Sequence, residues 1–120
     1  MKQCLFIIFS LLQITTAFAA QKMMVCTLKG LKDNLILPIP HKTGNLPKID
    51  FPYPVDTAVF VMREGNLLVV AMDQEEKTRP RIFISAQAGN NNTEFKGQFM
   101  TDSGGNELQL DNGPVFCKLK

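Results

Sequence analysis

His41, the one histidine of the chain, lies in a proline-rich stretch between Pro40 and Lys42. A histidine works as a general base only when a nucleophile and an orienting group are within hydrogen-bond reach. No motif places a serine, cysteine or carboxylate beside it, so it reads as a surface residue and no catalytic residue is assigned. Two acidic groups invite comparison with a cation site: Asp73 with Glu75 and Glu76, and Asp102 with Asn106, Glu107 and Asp111. Neither has the regular spacing of oxygen ligands that a calcium loop needs, and both read as solvated turns. With no CxxC or HxxxH spacing either, no metal and no cofactor is expected.

The stretch Lys77-Thr78-Arg79-Pro80-Arg81 packs three positive charges into five residues. Such a loop could present Lys77, Arg79 or Arg81 to a trypsin-like protease as an inhibitor does. Its plainer reading is a charged linker that ends at a proline compatible with a sheet edge. Asn91-Asn92-Thr93 matches the acceptor pattern for N-glycosylation, which carries meaning only in a compartment that performs that modification.

Three cysteines occur, at positions 4, 26 and 117. Residues 1–19 have an early lysine, an apolar run over residues 5–12, a more polar stretch and then Ala17-Phe18-Ala19, the layout of a secretory signal cleaved after Ala19. Cys4 belongs to that segment, which leaves Cys26 and Cys117 as a pair near the two ends of a domain spanning residues 20–120. In an oxidising compartment two such cysteines most simply form one disulfide. The protein is therefore expected to be secreted or periplasmic. After the signal no apolar run is long enough to span a bilayer, so no stable membrane anchor is expected. A formal net charge of +2 implies neither nucleic acid nor an anionic membrane as partner.

The strongest structural signal is residues 58–72, AVFVMREGNLLVVAM, two apolar runs around Glu64-Gly65-Asn66. Glycine accepts the positive φ of a tight turn, and a two-residue loop at Gly65-Asn66 or Glu64-Gly65 makes this a β-hairpin. Strand alternation puts Ala58, Phe60, Met62, Leu67, Val69 and Ala71 on one face, and Val59, Val61, Leu68, Val70 and Met72 on the other. Both faces are apolar, which demands cover on both sides, whether from another layer of the chain or from a partner. Pro38, Pro40, Pro47, Pro52 and Pro54 make the preceding segment irregular, and its Phe51 and Tyr53 are the nearest candidates to pack over the hairpin.

Further strands are expected over residues 22–29, 35–39, 81–88, 94–101, 107–110 and 115–119, with turns at residues 30–34, 89–92, 102–106 and Asn112-Gly113. Inward positions include Met24, Cys26, Leu28, Ile82, Ile84, Phe95, Phe99, Leu108, Leu110, Val115 and Cys117. Seven or eight short strands in this arrangement define an all-β domain, a small antiparallel meander that is barrel-like, with a β-sandwich as the alternative. A disulfide between the first and last strands favours the barrel. The functional expectation is a non-catalytic binding module, with Phe51, Tyr53, Phe60, Met62, Leu67 and Val69 as its surface and a protein partner or a second copy as its occupant. The alternatives are an inhibitor using the basic loop and a small enzyme whose site is spread through the sequence.

Overall fold

A computed structural model describes residues 22–40 and 45–120. The segment expected to be an export signal and His41 lie outside the described residues. Seven strands follow in chain order: β1 (Met23–Leu28), β2 (Leu35–Pro38), β3 (Val55–Arg63), β4 (Asn66–Asp73), β5 (Pro80–Ala88), β6 (Glu94–Asp102) and β7 (Leu110–Leu119). They form one antiparallel sheet in the order β2-β1-β7-β6-β5-β4-β3, curled into a half-barrel, with no helix among the described residues. The sandwich alternative is thereby set aside.

From β3 to β7 the chain is a meander of successive hairpins, and the β1-β2 hairpin docks with β1 against β7. The β3-β4 turn is Glu64-Gly65, with φ of 55° and 77°, and Arg63 pairs with Asn66 to close the two-residue loop. The two positive φ values are those a twist-compatible hairpin turn requires, which is why glycine occupies its second place. Gly97 has a different reason: a Cβ there would run into the carbonyl oxygen of Ser85 on β5, so β6 can approach its neighbour this closely only without a side chain.

Inward alternation holds along the sheet. Met24, Cys26, Leu28, Leu67, Val69, Ala71, Ile82, Ile84, Ala86, Phe95, Phe99, Val115 and Cys117 form a single buried core, joined by Leu35 and Leu37. Cys26 and Cys117 stand directly opposite each other in the β1-β7 ladder and are joined by a disulfide. First and last strands are therefore tied through the core side.

Three expectations need correction. Asn112-Gly113 is not a turn: both residues lie within β7, opposite Met100 and Phe99, so residues 107–110 do not make a separate strand. Leu108 and Leu110 do not face inward and are 66% and 52% exposed: Leu108 lies in the loop of residues 103–109, and Leu110, the first residue of β7, falls on the outward side of that strand's alternation. Ala58 is not on the Phe60 face: a bulge lets Thr57 pair with Ala71 while Val59 pairs with Val70, and Ala58 is left exposed between them.

Closure is incomplete for a physical reason. To shut the barrel, β2 and β3 would have to pair, but β2 is only four residues long and ends at Pro38, with the proline-rich segment after it. Proline cannot donate to a ladder. Instead, Ile39, Ile49 and Phe51 pack against the core from the gap, and the Thr57 hydroxyl donates to the Pro47 carbonyl at 2.6 Å.

Candidate functional site

The basic stretch turns inward. Lys77 is exposed, but Arg79 and Arg81 are buried where β4, β5 and β6 meet their loops. Arg79 Nε donates to Asp102 Oδ2 at 2.7 Å, and its Nη atoms donate to the carbonyls of Gly105 at 2.6 Å and Gly104 at 3.2 Å. Arg81 Nε donates to Asp73 Oδ1 at 2.7 Å, and Nη1 to the carbonyls of Asp102 and Gly104 at 2.9 and 2.6 Å. The Tyr53 ring covers the Arg81 guanidinium at 4.1 Å. Asp102 Oδ1 in turn accepts the backbone N–H groups of Gly104 and Gln109, and Asp73 Oδ2 accepts those of Glu75 and Glu76.

The two buried aspartates of this network are held toward their charged form. Asp102 lies well below the usual carboxylate range, first because Arg79 donates to it and then because two backbone N–H groups do. Asp73 is lowered chiefly by the backbone N–H of Glu76 and then by the Arg81 side chain. Arg79 is raised by its bond to Asp102. The planar guanidinium fork suits this work, since each arginine binds a carboxylate and loop carbonyls at once. These groups clamp residues 103–109 and the turn after β4. They are not offered to a protease, so the inhibitory-loop expectation loses two of its three side chains, and the acidic groups are not solvated turns throughout. Two arginines and two aspartates at the ends of adjacent strands were the available sequence signal, but nothing in the spacing says that they converge.

The hairpin face also differs from expectation. Leu67 and Val69 are 1% and 0% exposed, inside the core. Phe60 and Met62 are half-buried against it, as is Phe51. The uncovered apolar surface is the opposite one. Val59, Val70, Phe83 and Met100 stand side by side across β3, β4, β5 and β6, with Val61 and Leu68 in the next row. Val61 is 40% exposed and Phe83 41%, although β5 is flanked by strands on both sides. No element among the described residues lies over this outer face. At its margin β3 has, among the described residues, a ladder on its β4 side only.

Among the described residues no cluster of three or more histidine, cysteine, aspartate or glutamate side chains is placed to hold a metal. The disulfide fits an oxidising, extracytoplasmic location. Comparison with protein-family models, curated proteins and solved structures finds no match.

Proposed function

We propose that this chain is a non-catalytic interaction module, exported as a secreted or periplasmic protein, that works by adding a strand at the free edge of β3, with a second copy of itself as occupant. One observation carries the reading: the outer apolar rows run without interruption to an edge strand that, among the described residues, has no strand paired on its far side. Such edges recruit strands, and natural proteins usually blunt them.

Why a second copy fits follows from the register. In a two-residue hairpin the flanking pair, Arg63 and Asn66, is hydrogen-bonded, so Phe60 and Met62 turn their N–H and C=O groups to the open edge. A two-fold axis at Phe60 would set Val61 against Val59 of the second copy. Beyond the Ala58 bulge it would set Met62 against Thr57 and Arg63 against Asp56. Each of these pairs joins residues of the same face, and the last pairs opposite charges at both ends of the interface. Asp56 and Arg63 are both exposed. Asp56 Oδ1 accepts from Gln74 Nε2, which leaves its second oxygen free for the arginine.

Light scattering on the disulfide-bonded protein tests this. The expected result is a concentration-dependent dimer that Asp56→Arg converts to monomer and that Asp56→Arg combined with Arg63→Asp restores. A protein that stays monomeric at every concentration, or a dimer that ignores both variants, would overturn the reading.

A further inference from the structure

Away from β3, the end of the half-barrel where β1 and β6 finish and β2 and β7 begin opens into a cleft of about 520 Å³. Its size lies within the range of roughly 300 to 1,000 Å³ usual for small-molecule sites, and barrel mouths are among the places where such sites occur. One wall is apolar: Leu28 and Leu35 are buried, and Leu31 and Phe51 pack half-buried beside them. The other wall is polar, and its members are adjacent in the ladder, since Thr101 of β6 pairs with Asp111 of β7.

Thr101 is the informative residue. It is 1% exposed and lies on the core-facing side of β6, opposite Ile82. Among the described residues its hydroxyl has no hydrogen-bond partner, and neither does the carboxylate of Asp111. No fully buried side-chain polar atom among the described residues lacks a partner, so the little exposure Thr101 keeps lies toward the cleft, where a ligand can reach its hydroxyl. A hydroxyl and a carboxylate side by side on one wall, with an apolar wall opposite, suit a ligand that has both a polar and a hydrocarbon part.

Charge then selects the ligand. Asp33, Asp50 and Asp111 line the cleft with Lys32 as the opposing cation. The arginines nearby do not offset this excess, because Arg79 and Arg81 are bonded to Asp102 and Asp73. A carboxylate or phosphate ligand would meet repulsion, and a fully polar cation would gain nothing from the leucines. We infer that the cleft binds a small organic ammonium ion, its hydrocarbon body against Leu28, Leu31, Leu35 and Phe51 and its N–H groups donating to Asp111 and to the Thr101 hydroxyl. The inference is independent of strand pairing at β3, and the two are tested by different variants.

Calorimetric titration of the full, disulfide-bonded protein with n-octylammonium, and with 1-octanol as the uncharged control, decides it. Saturable binding of the amine is expected at low-millimolar concentration or below. Octanol should bind at least about tenfold more weakly, and Asp111→Asn should weaken the amine by a similar factor, the equivalent of one charge-assisted hydrogen bond. Thr101→Val, which keeps the shape and removes the hydroxyl, should weaken it severalfold, while Val61→Ser on the outer face should leave it unchanged. Absence of saturable binding would overturn the inference. So would equal affinity for octanol, or amine binding that neither Asp111→Asn nor Thr101→Val alters.

Discussion

Asp102 shows how much a single side chain can organise. It is 1% exposed and charged, a combination tolerated only because Arg79 and two backbone N–H groups satisfy it. Its carboxyl is depressed by Arg79 above all, and that of Asp73 by the Glu76 backbone N–H and Arg81. A carboxylate whose folded pKa is lowered contributes stability that is fully present above its unfolded value and is lost as pH falls toward the folded one. Stability should therefore hold at neutral pH and decline as pH drops below about 4, the unfolded range for aspartate. Chemical denaturation across that interval checks the sign. Asp102→Asn should be less stable than the parent at neutral pH and should show a shallower acid decline; parallel curves for the two proteins would contradict this account. Little of this was visible beforehand, because ion pairs joining residues 8 and 23 positions apart leave no periodic trace in a sequence.

At the scale of elements, strand alternation decides which side chains matter to the fold. Ile84 and Phe83 are neighbours on β5, yet one is 0% exposed and the other 41%. Truncating Ile84 to alanine should cost about 2 to 4 kcal/mol through lost burial and a cavity. Phe83→Ala on the outer face should cost far less, and thermal melts of the two variants measure the difference. Comparable losses would mean that Phe83 is covered. The period-2 pattern made β1, β5, β6 and the core half of β7 legible from residue types, with Met24, Ile82, Phe95 and Val115 facing in. It failed where a strand carries turn-forming residues without turning. Asn112 and Gly113 read as a turn in isolation, but the long β6 ladder beside them keeps the chain extended. It failed again at Ala58, because a bulge shifts register without altering the residue pattern on either side.

The whole molecule is a sheet with two faces treated differently. Curling closes the inner face upon itself and leaves the outer face open, so the two-sided apolar hairpin is half core and half surface. The Cys26–Cys117 disulfide spans a separation of 91 residues and fixes β1 to β7. Constraint of the unfolded chain over a loop of that size predicts a loss of roughly 2 to 5 kcal/mol in the Cys26→Ala, Cys117→Ala double variant. Denaturant titration of the parent and the double variant measures it, and equal midpoints would show that the ladder holds the ends together unaided.

Composition, alternation and turn residues by themselves determined an all-β chain, most of its inward side chains and the β3-β4 turn, since each depends on contacts made within a few residues, and the pairing of Cys26 with Cys117 followed from their places near the two ends of the expected domain. Strand order, the gap between β2 and β3, the burial of Arg79 and Arg81 and the meeting of Thr101 with Asp111 were decided only by the tertiary structure. Those features arise when strands distant in sequence are laid side by side, and the energies that select one such arrangement belong to the packed sheet and not to any stretch of the chain.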